Sequence, residues 1–479
     1  MTIDTMNLKT PYLSLCEAFY NETKSDPLEE PYLISFNPEA AKLIDLDESS
    51  ANDPLLVSLL NGTFIPKGVS PFAMVYAGHQ FGHYNPWLGD GRAINLGTLN
   101  GWNLQTKGSG ETLYSRSADG RAAIRSSIRE YLMSESMFHL GIATTRALAI
   151  IGSKTKIIRN AVENAAVVMR MSSSWIRFGT FEYFYYNREY DKLQELAEYV
   201  IAESFPHLEG DDDRFLKMFC EVVDKTALLI AQWQGIGFNH GVMNTDNMSI
   251  AGLTIDYGPF AMMDDFNFGY ICNCSDTVGR YSYAEQPNVA YWNLTMLAKA
   301  LSPIIPKDKM DKKLEEYGAS LYPNAYIKVM CAKLGLLEEL DTDATLVEEL
   351  VIALHDAFVD YTLFFRTLSV YDGNKEALYD ISMNPIAVDK WLQMYDERVK
   401  EEKTSFIQRT EMMLQENPKY VLKNHMLQEA IVLAEKGDFS MVEQLLHIAS
   451  HPYDELPEFE HFAGDTPEEY KNIGLSCSS

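Results

Sequence analysis

The sequence predicts an α+β chain in which a small mixed sheet with one helix precedes a large, mainly helical part. Two patterns predict this. Short apolar runs bounded by Gly and Asn, which read as strands, fall between residues 93 and 172. From about Asp191 onward, long stretches place apolar residues at helical spacing. At 479 residues the chain can form one large two-lobed enzyme or two to three domains, and no internal repeat divides it.

Residues 1–60 read as an irregular lead-in with short helices. From Pro71 to about Gly91 the chain is rich in Gly, Pro and aromatics, a composition that makes loops. AINLGTL and WNLQTKG are short strands, and the polar loop GSGETLYSRSADG follows. A helix is expected over Arg121–Leu140, stopped by Gly141, with Ile128, Leu132 and Met133 on one face. ALAIIGS and AAVVMRMS read as buried strands, and DKLQELAEYVIAESF and FLKMFCEVVDKTALLIAQWQ as amphipathic helices. An irregular segment, GIGFNHGVMNTDNMSIAGLTIDYGPF, interrupts the helices before a final helical stretch and a polar tail. The implied division is 1–60 lead-in, 61–185 small lobe, 186–400 helical lobe and 401–479 helical extension with tail.

With 40 basic and 68 acidic residues the formal charge is -28, which argues against nucleic acid as a partner. Arginines in apolar or Gly-rich context are therefore candidates for a local anion site. Six scattered cysteines form no paired CxxC pattern and point to a reducing compartment. The N-terminus lacks a basic region followed by an apolar stretch, and no run of about 18 apolar residues occurs, so a cytoplasmic protein without a membrane span is expected.

The irregular segment carries two polar clusters, His240 to Asn247 and Asp256-Tyr257-Gly258. MSIAGLTI between them alternates enough for two short strands, which would bring Asn247 and Asp256 together at the ends of a hairpin. Such a pair suits Mg²⁺ or Mn²⁺, since Mg²⁺ takes one or two carboxylates plus phosphate oxygens. The order matches the protein-kinase template of a His-Arg-Asp, an Asn five residues later, then Asp-Phe-Gly. Val242 stands where a kinase keeps its catalytic Asp, and Asp246 is the nearest replacement base. Upstream, Lys107 at the end of a strand and Glu130 in the following helix fit the kinase pair that holds ATP phosphates. Arg92 follows Gly89-Asp90-Gly91, in a loop open to phosphate. Arg170 lies inside the apolar strand VVMRM with Arg177 close behind, so it needs either a structural carboxylate or a phosphate oxygen. The element order and these motifs together predict a protein-kinase-like fold with a small N-lobe and a large helical C-lobe.

YAGHQFG, LGDGRA, QTKGSGETLYSR, DGRAAIRSSIREYLMSE, LGIATTRAL, HGVMNTDNMSI and LTIDYGPF are long, distinctive strings spread over nearly the whole chain. By them the chain resembles the selenoprotein O family, pseudokinases that act as protein adenylyltransferases. The resemblance implies a kinase-like fold holding ATP reversed, with the γ-phosphate inward and the α-phosphate toward a protein Ser, Thr or Tyr hydroxyl. It implies metal ligation by Asn247 and Asp256, proton acceptance by Asp246, and phosphate contact by Lys107 held by Glu130. Gly89, Gly91, Arg92, Asp119, Gly120, Arg170, Arg177 and Asp256 would contact the nucleotide. The family often carries selenocysteine just before two small C-terminal residues, where this chain has Cys477, and a regulatory disulfide with Cys272 or Cys274 is expected. Redox-linked proteins are the expected substrates by resemblance alone. Transfer of UMP, a conventional kinase reaction and a non-catalytic ATP scaffold remain as alternatives. Val242 stands against the kinase reaction, and the intact Lys107, Glu130, Asn247 and Asp256 stand against the scaffold.

Overall fold

The computed structural model describes residues 1–159, 161–471 and 473–476. Its strands are β1 (Tyr20–Glu22), β2 (Tyr32–Phe36), β3 (Phe72–Met74), β4 (Gly78–Gln80), β5 (His83–Asn85), β6 (Ala93–Leu99), β7 (Trp102–Lys107), β8 (Ala122–Ala123), β9 (Arg146–Ile158) and β10 (Val162–Ser172). An antiparallel sheet runs β1-β3-β6-β7-β10-β9-β2, with β8 paired to β10. The segment expected as a lead-in thus supplies two strands as well as short helices, α1 (Pro38–Lys42) and α2 (Pro54–Leu60).

The period of two along β10 decides which face each residue meets. Ala165, Val167, Met169 and Met171 pack with Leu104, α1 and α2 in one apolar cluster. Ala166 and Val168 face the other way, onto α3 (Ile124–His139) and a larger cluster. Arg170 has the parity of Ala166 and Val168, and it stands opposite Gln105 of β7. The sequence pattern therefore aims one arginine at α3.

α3 begins at Ile124, three residues later than expected, because Ala122 and Ala123 pair with β10 before the helix starts. Its apolar face buries Ile124, Ile128, Tyr131 and Leu132, while Glu130 points to the cleft. The helix at residues 440–450 packs against α3 from behind.

The helical part follows with α4 (Phe178–Tyr186), α5 (Tyr190–Ser204), α6 (Arg214–Ile236) and α7 (Gln286–Leu301). α6 ends at Gly237, whose φ of 75° provides the left-handed cap. The cluster under α3 continues through α4 to α7 and helices 424–434 and 440–450, so sheet and helices share one core. A second cluster gathers apolar residues between 330 and 413 together with Met263, Phe266 and Tyr283. Among the described residues no helix is long and apolar enough to cross a membrane.

The hairpin expected at MSIAGLTI does not form. Each half instead pairs with a segment from the sheet side. Ile250 N–H donates to Ile176 O at 3.0 Å, and Phe178 N–H to Met248 O at 2.9 Å. Thr254 N–H donates to Ala143 O at 2.9 Å, and Thr145 N–H to Thr254 O at 3.2 Å. Two exposed hairpin strands would have left backbone groups facing outward, whereas these pairings satisfy them inside. Asn247 and Asp256 nonetheless come to line the same cleft.

Candidate active site

The sheet, α3 and the irregular segment enclose a cleft of about 930 Å³. Gly89, Gly91, Arg92, Lys107, Asp119, Gly120, Glu130, Arg170, Arg177, Asp246, Asn247 and Asp256 all line it. Nine arginine or lysine residues line the cleft against five carboxylates, in a chain whose formal charge is -28. That local inversion of sign is what a polyanion requires.

Asp256 is the hub. Its Oδ1 accepts from Arg170 Nη1 at 2.6 Å and Lys107 Nζ at 3.3 Å, and its Oδ2 accepts from Arg177. Against the upward push of burial, Arg177, Lys107 and Arg170 hold its carboxyl well below the usual carboxylate range. Its φ of 57° is left-handed, a conformation rare outside glycine and seen where surroundings dictate backbone shape. Lys107 pairs with Glu130 at 2.8 Å, as the sequence suggested. Arg170 also donates to Glu130 at 2.7 Å and to Gln105, so the protein itself supplies carboxylates to it. Its plane lies 4.5 Å from the centroid of Trp175, and Arg177 lies 4.6 Å from that of Tyr76.

Asp246 sits in the turn Thr245–Asn247. Arg177 ties this turn to the hub, donating to Asp246 O at 2.7 Å. Burial pushes the Asp246 carboxyl up to about 7, opposed by Arg177. Its Oδ2 accepts from Gln80 Nε2 at 3.2 Å, while Oδ1 is buried without a partner. Asn247 Nδ2 donates to Val242 O at 2.9 Å, which leaves its Oδ1 to serve as a ligand. His240 is neutralised by burial and donates from Nε2 to Ile255 O at 3.0 Å, fixing the residue before Asp256. Its part is to anchor the backbone.

The glycine loop differs from its sequence reading. Gly89 and Gly91 are required by the approach of Tyr114, whose side chain and carbonyl fill the space a Cβ would need. Asp90 between them is buried and accepts from Met74 N–H and Asn95 Nδ2, both at 3.0 Å, and so pins the loop. Asp119 is paired with Arg159 at 2.7 Å, and Gly120 packs onto Gly110. Gln80, Gln105 and Asp90 escaped sequence reasoning. Asp90 alone carried a signal, as an acid between two glycines.

Cys272 is buried, and its thiol donates to Pro259 O at 2.7 Å. Burial pushes that thiol up, away from the reactive thiolate. Cys274 is exposed, and its N–H donates to Leu475 O at 2.7 Å, so the tail runs alongside it. Cys477 lies outside the described residues.

The family model for protein adenylyltransferase SelO matches residues 3–450. This chain belongs to the SelO family. It is similar to the protein nucleotidyltransferase YdiU of Myxococcus xanthus (strain DK1622), 45% identical over 487 residues covering 100% of both chains. It is also 45% identical over 482 residues to that of Aliivibrio fischeri (strain ATCC 700601 / ES114), covering 99% of each. The YdiU of Pseudomonas aeruginosa (strain LESB58) is 42% identical over 485 residues, with 100% of both chains covered. As a SelO-family member the chain is an enzyme, a protein nucleotidyltransferase.

Proposed function

We propose that the chain transfers AMP from ATP to Ser, Thr or Tyr hydroxyls of other proteins, in a two-lobed kinase-like frame with the sheet and α3 as small lobe. The observation that carries this reading is the hub at Asp256, where Lys107, Arg170 and Arg177 converge beside the half-unpartnered carboxylate of Asp246. Phosphates entering the cleft meet buried cations whose positions are already set by Glu130, Trp175 and Tyr76, so little reorganisation is needed.

Asn247 Oδ1 and Asp256 would hold Mg²⁺ or Mn²⁺. Mg²⁺ takes one or two carboxylates and completes its shell with phosphate oxygens and water. Such an ion would neutralise phosphate charge facing the incoming hydroxyl. Asp246 accepts the hydroxyl proton, with a carboxyl near 7 that is well matched to neutral pH. Val242 cannot do this in the place where a kinase keeps its base. Arg170 and Arg177, buried and paired, hold the triphosphate end, with the α-phosphate toward Asp246. Cys274, exposed beside the tail, is the more accessible partner for Cys477.

ATP labelled at the α- or the γ-phosphate, incubated with acceptor proteins and Mg²⁺ or Mn²⁺, tests the reading. Retention of the α-label on protein, absent in Asp256→Ala, is expected. Retention of the γ-label alone would replace it with phosphorylation, and α-labelled UTP run in parallel decides the base.

A further inference from the structure

Beside the Asp246 turn the chain carries a strip of rings in edge-on and tilted contact with a cation at each end. Arg280 lies 4.6 Å from the ring centroid of Trp292, and Trp292 lies 5.3 Å from His79. His79 is 5.3 Å from Tyr84, Tyr84 is 4.1 Å from Tyr186, and Lys299 closes the strip 5.2 Å from Tyr186. Trp292, Tyr84 and Tyr186 are half-buried, and Lys299 is exposed.

The strip is built into the site. His79 Nδ1 bonds Glu182 Oε1 at 2.6 Å, and Glu182 also accepts from the hydroxyl of Thr245, the neighbour of Asp246. β4 and β5 form a hairpin whose two tip residues, Phe81 and Gly82, have φ of 50° and 82°, as a tight two-residue turn requires. That tip is fastened to the same turn by Phe81 N–H, which donates to Tyr281 Oη at 2.9 Å and to Asn244 Oδ1 at 3.2 Å. Arg280 packs against Gly82.

Neither end cation has an acidic partner among the described residues. Lys299 donates to Tyr186 Oη at 3.1 Å. Arg280 faces Tyr281, its Nε is buried without a hydrogen-bond partner, and Asp276 takes only its main-chain N–H. In a chain with 68 acidic residues, each end of the strip thus offers a cation mounted on a ring, with no ion pair among the described residues. Rings bind side chains of any sequence at low entropic cost, whereas the two cations select for charge.

We infer that this strip is the docking face for the acceptor protein, and that it selects hydroxyls flanked by acidic residues. The inference rests on the AMP-transfer reading and adds the chemistry of the acceptor to it. An acidic segment lying along the strip engages Arg280 and Lys299 and brings its hydroxyl toward Asp246. A basic segment is repelled.

The test uses the full chain, α-labelled ATP and two matched peptide sets, each peptide holding one Ser, Thr or Tyr flanked by Glu or by Lys. The wild type is expected to favour the Glu-flanked set by about tenfold in kcat/KM, through peptide KM, and to lose that preference as salt rises. Arg280→Gln with Lys299→Gln should bring the ratio near one while KM for ATP stays unchanged, and Arg280→Lys should keep the preference. Arg280→Glu with Lys299→Glu should invert it. No acidic preference in the wild type, or a preference that survives the double Gln variant, overturns the inference while leaving AMP transfer intact. Failure of the wild type to label either set overturns the transfer reading and the inference with it.

Discussion

A single added methyl group tests whether the placement of Asp246 governs the reaction. A Cβ at Gly78 would lie 2.5 Å from Asp246 Oδ1, 2.9 Å from its Cβ and 3.0 Å from its Cγ. Gly78 does not lie at positive φ, so alanine fits its backbone, and the three atoms nearest the added Cβ all belong to Asp246. Ordinary contact requires the carboxylate to withdraw by about 1 Å. A catalytic group misplaced by that much costs about 10²-fold in rate, or ~2.7 kcal/mol. Overpacking by one methyl costs about 1–3 kcal/mol of stability, small enough for a chain of this size to stay folded. Initial rates of α-label incorporation by Gly78→Ala should therefore fall about 10²-fold while ATP binding, measured by calorimetry, is unchanged. Gly318→Ala, where a Cβ meets nothing within 4 Å, is the control and should keep wild-type activity. A folded Gly78→Ala enzyme retaining half or more of the wild-type rate would refute the assignment of Asp246.

Asp246→Ala should lower transfer by about 10²–10⁴-fold while nucleotide still binds, as expected for loss of a base, read by single-turnover labelling. Asp256→Ala removes the carboxylate shared by Lys107, Arg170 and Arg177, and labelling should drop below detection while Mn²⁺ binding, followed by electron paramagnetic resonance, weakens. Lys333 is buried against Phe365 and Tyr361, and burial lowers its ammonium to about 7. Because its folded value lies below its unfolded value near 10.4, the unfolded chain binds the extra proton between pH ~7 and ~10, and stability rises with pH in that window. Lys333→Met should thus be the more stable protein at pH 7 by urea unfolding, with the difference from wild type shrinking by pH 9.5. A difference that does not narrow would refute the buried-charge account.

The residues of the cleft were legible because each belongs to a local pattern. Lys107 ends a strand, Glu130 lies on the predicted helix, and Asn247 and Asp256 stand in a recognisable order. Short apolar runs and helical spacing also carried the architecture, whereas the continuous apolar run of β10 left the face that Arg170 takes, that of Ala166 and Val168, to the fold. Gln80 and the strip from Arg280 to Lys299 have no such pattern. Their partners come from segments up to about 200 residues apart, as with Phe81 and Tyr281.

Local chemistry is written into neighbouring residues, so the sequence could name residues that come to line the cation-rich cleft. Long-range pairing is chosen by what each backbone group and side chain finds once the core closes, and no local rule states it. That is why MSIAGLTI binds Ile176 and Ala143 instead of folding on itself, and why Gly89 and Gly91 answer to Tyr114. For the same reason the partners of Arg170, Glu130 and Asp256 together, became visible only in three dimensions: unpaired charge cannot be buried, and which carboxylate neutralises it depends on the whole packed core.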